Sequence, residues 1–409
     1  MKRVFFHSLF AAAAVSAACC SGSPEAPLTL LIGTYTEGTG SAGLYLCSFD
    51  PVSGLAEVLD SASCGNPSFV IAPETPETPE TPENPESPES PAPSGLPDKA
   101  SREPSPKNFR NVFSVNEFSD GRQGVSSFRL SGGAAPSVIE QTSFVPIPAG
   151  GEDPCNILYT GGAIVTSNYT GGSMSAFAVC SDGTVGRQTR QWAPDADVRQ
   201  PASSRGSDPH LHCAVLSPDG RYIFAADLGS DCVHRFERLS GDSPLGAHTI
   251  AWQNADSLRY GPRHMVFSPD GRYAYLLCEL SDKLVVFSYL DGELSTVQTL
   301  LAYGGDGHGS ADLHFSPDGR RLYTSHRLKE DGISTFRVDP ATGLLTPEGY
   351  RRTGVHPRNF AITPDGRWLL CACRDSGAVE LYSIDQASGA LIPTGRGIRL
   401  PAPVCVQVL

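Results

Sequence analysis

The sequence predicts an all-β fold, a seven-bladed β-propeller closed by pairing of its N- and C-terminal strands. Four segments carry one phrase: "HLHCAVLSPDGRYIFAADLGSDCVHRF" from His210, "PRHMVFSPDGRYAYLLCELSDKLVVF" from Pro262, "ADLHFSPDGRRLYTSHRLKEDGISTF" from Ala311 and "PRNFAITPDGRWLLCACRDSGAVELY" from Pro357. Their turn residues Ser217, Ser268, Ser316 and Thr363 stand 51, 48 and 47 residues apart, and a period near fifty with several strands per unit marks propeller blades. The two chain ends are complementary fragments of one more unit.

Each unit parses in the same order. An apolar strand runs into a Pro-Asp-Gly turn, whose glycine supplies positive φ, and a second apolar strand follows. A polar loop then leads to a third strand ending in an aromatic residue. Turns such as "LDGEL" at 290 and "ATGLL" at 341 open the fourth strand. Two weaker copies come earlier, one from Cys155 with "TGG" in place of "PDG", the other built from "NPSFVIAP" and "RNVFSVNEFSDGRQGVSSF". "LTLLIGTYTEGTGSAGLYLCSFDPVSGL", residues 28–55, lacks a first strand, and "APVCVQVL" at the C-terminus is a first strand with nothing after it. Joined, they complete a seventh blade and remove the exposed sheet edges of an open array.

The cycle "PETPETPETPENPESPESP", residues 73–91, interrupts the second unit where the others have Asp-Gly. Lengthening a surface hairpin costs only logarithmically in closure entropy, so the blade tolerates it. Proline at every third residue favours polyproline II, and residues 73–107 read as a solvated, disordered insertion on the rim that carries the SPDG turns.

Formal charge is −13, of which the cycle supplies six units through its glutamates; this gives no footing for a nucleic-acid partner. The leader "MKRVFFHSLFAAAAVSAACC" has the basic start and short apolar run of a secretory signal, too short to anchor as a span. "SAAC" resembles a bacterial lipobox. Residues 1–18 are therefore expected to be removed, Cys19 acylated, residues 19–27 to form a short tether and residues 28–409 the propeller. That gives a monomeric periplasmic or outer-membrane lipoprotein touching membrane through its lipid alone. Among the twelve cysteines, Cys180, Cys213, Cys278, Cys371, Cys373 and Cys405 lie in apolar strand-like runs and read as buried free thiols. Cys371 and Cys373, two apart on a strand, share a face.

The start of each first strand and the end of each second lie at the rim opposite the SPDG turns. Five residues before the turn Ser or Thr stand His212, Arg263, Ala311 and Arg358; eleven after it stand Leu228, Glu279, Arg327 and Arg374. His210, His264, His314, His326 and Asp227 adjoin them. A concave rim of arginine and histidine with a few carboxylates suits a small anion. The Asp and Arg of "SPDGR" repeat with the turn and read as structural.

These phrases, with "IGTYT", "NPSF", "SNYTGGSMSAF" and the terminal "PVCV", resemble the lactonase family of seven-bladed propellers, the bacterial 6-phosphogluconolactonase type, along nearly the whole chain after the leader. Fungal muconate-lactonizing enzymes resemble the same family, and their His, Arg, Glu, Arg constellation falls on His212 or His210, Arg263, Glu279 and Arg327. This chain departs from the family with "CEL" at 278, "SHRL" at 325 and "ACR" at 372, losing amides while keeping Glu279 and Arg327.

The resemblance implies a lactonase acting on a small anionic sugar lactone. Ester hydrolysis passes through a tetrahedral oxyanion and needs a base, a placed water and a cation, with no cofactor. His212 or Glu279 is the expected base, with Arg263 and Arg327 binding oxyanion and phosphate. His210, His264, His314, Arg358 and Arg374 are the expected secondary contacts. No metal is needed, and the histidines show no convergent ligand spacing. Export argues for an unphosphorylated lactone. Two rivals remain: a lactonizing cycloisomerase of the muconate type, and a non-catalytic lipid-anchored propeller that binds acidic sugars or protein partners.

Overall fold

In the computed structural model, residues 26–73, 109–132, 135–195, 208–305 and 307–409 are described. They form seven four-stranded antiparallel sheets and no helix. The leader, Cys19, most of the tether and the interior of the Pro/Glu insertion lie outside the described residues. Inner strands, numbered by blade, are Pro403–Val408, Val70–Ile71, Pro154–Tyr159, Leu211–Leu216, Pro262–Phe267, Ser310–Phe315 and Pro357–Ile362. Each packs beside the next around the axis, and that of blade seven meets that of blade one. Blade one is the shared one: Pro403–Val408 pairs with Leu28–Thr34, matching Val406 to Ile32 and Gln407 to Leu31.

Alternation decides which side chains hold the ring together. Successive strand residues face opposite sides of a sheet, so each blade offers one apolar face to each neighbour. Seven separate buried clusters result, one for each interface between consecutive blades. The aromatics expected at the third-strand ends, Phe236, Phe287, Phe336 and Tyr382, are all buried in them.

The SPDG turns satisfy themselves locally. In blade five, Ser268 Oγ donates to Asp270 Oδ1 at 2.6 Å and accepts from Tyr273 N at 3.0 Å, while Arg272 N donates to the same Asp270 oxygen. Gly271 sits at φ 71° and closes the turn. Blades four, six and seven repeat the pattern from Ser217, Ser316 and Thr363. Turn aspartates are therefore structural.

Nine of the ten described cysteines are buried and all ten are free. Cys180 corrects the expectation: it is exposed, because Ser173–Val179 ends one residue earlier and the chain turns outward there. Cys371 and Cys373 do share a face, their sulfurs 3.8 Å apart.

The insertion departs from the first hairpin of blade two. Val70 pairs with Ser114 and Ile71 with Phe113, and Arg110 Nη2 donates to Ala72 O at 2.8 Å across its base. Replacing residues 74–107 by Asp-Gly shortens the connection by about three halvings, each worth about 0.6 kcal/mol of closure entropy. Urea denaturation should therefore show a gain of about 2 kcal/mol for the shortened protein; a loss of stability would mean that the segment packs on the propeller.

Candidate active site

Two sets of backbone positions build the rim opposite the SPDG turns. The first is a β-bulge near the start of the inner strands, where the register with the second strand slips by one residue. It falls at Val404, Cys155, His212, Arg263, Ala311 and Arg358. A bulge leaves its residue out of the ladder and re-aims the side chain, here toward the axis. The second set is the residue that follows each second strand: Tyr35, Glu117, Tyr169, Leu228, Glu279, Arg327 and Arg374, one per blade.

At the axis these positions assemble an ionic cluster. Arg263 Nε donates to Glu279 Oε2 at 2.8 Å, and Arg327 Nη2 lies 2.9 Å from the same oxygen. Arg263 also donates to Ala311 O and Arg327 Nε to Gly309 O, so both guanidiniums are built into the wall, 1% and 5% exposed. Across from them Arg358 Nη2 lies 3.5 Å from Glu117 Oε2, and Tyr35 Oη donates to Glu117 Oε1 at 2.8 Å. Burial alone would raise the Glu279 carboxyl, but Arg327 and Arg263, with Arg358 behind them, hold it below the usual carboxylate range. Arg327 is drawn down by burial to about 9 and stays charged at neutral pH.

His212, Arg263 and Arg358 meet around a void of about 10 Å³, closed also by Cys155, His264, Asn359 and Val404. That is room for about one water. Beside the Glu117 half opens a cavity of about 340 Å³ lined by Tyr35, Asn66, Glu117, Asp120, Arg122 and Asp153. Clefts of about 530 and 680 Å³ lie on the blades' outer parts, around Trp252 and Glu380, away from the axis.

The histidines divide by environment. His212 is buried, and burial with the nearby Arg263 holds its imidazole well below its ordinary range and neutral; its Nδ1 lies 3.7 Å from Cys155 Sγ. His210 is half-buried, stacked on Tyr169 at 4.5 Å, with Nδ1 2.9 Å from Tyr169 O. A carbonyl can only accept, so that nitrogen carries the proton and Nε2 keeps its lone pair. His264 Nδ1 lies 2.7 Å from Asp312 Oδ1, and His314 Nε2 2.8 Å from Asp312 Oδ2. His264 therefore touches the void from below, whereas His314, farther along the strand toward the SPDG rim, does not reach the cluster.

Arg374 and His326 stay outside it as well. Arg374 is taken up by its neighbour Asp375, at 2.6 Å, and bears on the site only through His356, which lies 3.4 Å from Arg327 Nη1 and 3.3 Å from Asp375. His326 is held inside blade six by Ser310 and Thr324. Asp227 supports His210 by accepting from its backbone N–H at 2.8 Å.

The family described as lactonase, 7-bladed beta-propeller, matches residues 103–408. The chain belongs to this lactonase family. A relative from Formosa agariphila named 6-phosphogluconolactonase is 29% identical over 376 residues, covering 88% of this chain and 94% of its own. One of the same name from Bacillus subtilis is 27% identical, covering 92% and 97%. A solved Bacteroides uniformis structure is 38% identical with a TM-score of 0.79, covering 94% and 100%. The periplasmic gluconolactonase of Pseudomonas aeruginosa is 28% identical with a TM-score of 0.77, covering 94% and 99%.

Four residues of this candidate site escaped sequence reasoning: Tyr35, Glu117, Tyr169 and Asp312. A signal existed for the first three. "RNVFSVNE" aligns with "RYAYLLCE", which puts Glu117 in the column of Glu279, and Tyr35 and Tyr169 occupy the same place after their second strands. Asp312 sits beside a bulge, where simple strand alternation misassigns its face.

Asp312 yields a pH prediction. Burial would raise its carboxyl, but His314 and His264 hold it far below the carboxylate range. A carboxyl depressed on folding stabilises the protein above its unfolded pKa, about 4, and that contribution is lost as pH falls further. Asp312→Asn should therefore cost about 3–5 kcal/mol at pH 7 in urea denaturation. Because Asp312 raises its partner His314, which then stabilises the fold below about pH 6.5, the deficit should widen from pH 7 to about pH 5 and narrow below about pH 4 as the carboxyl protonates; a deficit flat from pH 7 to pH 3 would sink the ionic account.

Proposed function

We propose that this protein hydrolyses the δ-lactone of a sugar acid. The observation that carries the reading is the axial cluster in which Glu279 bridges Arg263 and Arg327 beside Tyr169 and the tautomer-fixed His210. The names of the Formosa, Bacillus and Pseudomonas relatives support the same chemistry. In this reading His210 Nε2 takes a proton from water as the oxygen attacks the lactone carbonyl. Arg358, the least enclosed of the three arginines, faces the oxyanion. The imidazolium then returns its proton to the departing ring oxygen, leaving the hydroxy acid. His212, held neutral and buried, and the wall-bound Arg263 and Arg327 keep the cluster in place.

The cavity beside Glu117 is suited to the polyol part of the substrate. Its carboxylates Glu117, Asp120 and Asp153 accept hydroxyl hydrogens and repel a phosphate, while Arg122 is already engaged by Glu37 and Asp120, each at 2.5 Å. This supports an unphosphorylated aldonolactone. The leader, Cys19 and the periplasmic relative support an exported, lipid-anchored protein.

The test is acid release from a panel of lactones by protein beginning at residue 21. Glucono-δ-lactone should be opened faster than its 6-phosphate. His210→Gln should lower kcat by about 10²- to 10⁴-fold with little change in KM. Arg358→Met should lower it by about 10²- to 10³-fold. Wild-type turnover unaffected by either change would reject these roles; no turnover of any lactone would move the protein to the non-catalytic reading.

A further inference from the structure

Blade four carries a second polar cluster, inside the sheet and separate from the axial arginines. Asp227 ends the strand Tyr222–Asp227, Cys232 begins Cys232–Arg238, and the two residues pair directly across the connecting hairpin. His234, two residues beyond Cys232, projects from the same face. Asp227 Oδ2 lies 3.2 Å and Cys232 Sγ 3.5 Å from His234 Nε2. All three donor atoms lie within 4.8 Å of one another, and all three residues are buried with no exposed side-chain area on Asp227 or His234.

We propose that Asp227 Oδ2, Cys232 Sγ and His234 Nε2 form a binding site for a divalent metal ion of the zinc type. With zinc–sulfur bonds near 2.3 Å and zinc–nitrogen or –oxygen bonds near 2.0–2.2 Å, the edges of a tetrahedron measure about 3.3 to 3.6 Å. The Asp227–His234 and Cys232–His234 separations, 3.2 and 3.5 Å, are already close to such edges. A water carried with the ion takes the fourth corner.

The outer partners also suit a metal. Asp227 Oδ1, the oxygen not used for the ion, accepts from His210 N at 2.8 Å and Ser230 N at 2.9 Å, which fixes the carboxylate plane. His234 Nδ1 lies 3.0 Å from His248 Nε2, and Trp192 packs edge-on against His234 at 5.2 Å. A ligating histidine normally passes its other N–H to such an acceptor. On loading, Cys232 releases its thiol proton to solvent. The His234 proton moves from Nε2 to Nδ1 and is donated to His248, whose own proton shifts to Nδ1. One carboxylate, one thiolate and the dication then sum to zero charge, so the loaded pocket buries no net charge. Through Asp227, the ion would brace the backbone that carries His210.

The test uses protein beginning at residue 21 with Cys180→Ser, which removes the exposed thiol. After exposure to zinc and dialysis, elemental analysis should find one ion per chain. Cobalt should give a thiolate-to-metal charge-transfer band, and zinc should raise Tm. Cys232→Ser, nearly isosteric, should lose the band and the Tm shift. His248→Gln, at the edge of the cluster, should weaken zinc binding about 10- to 100-fold. A parent protein that retains no metal and gives no band overturns the proposal and leaves a plain Asp227–His234–His248 hydrogen-bond chain. Equal binding by parent and Cys232→Ser overturns it too, since the ion then sits elsewhere.

Discussion

The pairing of Pro403–Val408 with Leu28–Thr34 is the constraint on which the rest depends. It turns a row of sheets into a ring, and only a ring brings seven inner strands to one axis. The clusters between blades are equivalent in kind, so no single one fixes the number of blades. The last strand does, because blade one has no inner strand until the C-terminus supplies it. The packing between blades seven and one then draws on residues far apart in sequence, such as Leu30 and Val406 with Leu370 and Val379. Such contacts join residues far apart in sequence, so forming them costs more loop-closure entropy than pairing within a blade.

Closure also creates an electrostatic problem at the axis, which the sequence resolves by pairing. Three arginines and two glutamates lie where strands should be apolar, and removing such charges from water costs several kcal/mol per ion unless each is matched. Glu279 is matched twice, Glu117 by Arg358 and Tyr35, and the remaining guanidinium donors find carbonyls at Ala311 and Gly309. The excess is one positive charge. A site built this way holds its dipoles in position before any anion or oxyanion arrives, which is the arrangement that stabilises developing charge without reorganisation.

The fold was legible because its evidence was redundant: four SPDG phrases, two degenerate copies and two complementary ends. The site was legible only in part. Glu279 and Arg327 stood in clear copies of the repeat, but Glu117 stood in a copy whose turn the Pro/Glu insertion replaces, and Tyr35 in a blade divided between the chain ends. Arg374 occupies the same column as Glu279 and yet is drawn aside by Asp375, one residue away. A column position brings a side chain to the rim; a local competitor decides whether it reaches the axis. The same limit applies to Asp227, Cys232 and His234, whose convergence depends on a hairpin register that composition does not reveal.

The two rims differ in what closes them: local turn bonds on one, buried paired charges on the other. On the SPDG rim, Ser, Asp and Gly close each turn with partners no more than five residues away, and the links between blades run from side chains around the turns, such as Arg272 to Pro340 O and Tyr289 to Asp219. On the other rim, Arg263 reaches Ala311, Arg327 reaches Glu279, Arg358 reaches Glu117, and Asn359 reaches Asp312 and Val406 across blade boundaries. A long insertion on the first rim disturbs one hairpin, whereas the same insertion on the second would separate charges that compensate each other. The Pro/Glu segment stands on the rim where interruption is cheap, and the groups proposed for chemistry stand where neighbouring blades hold one another in place.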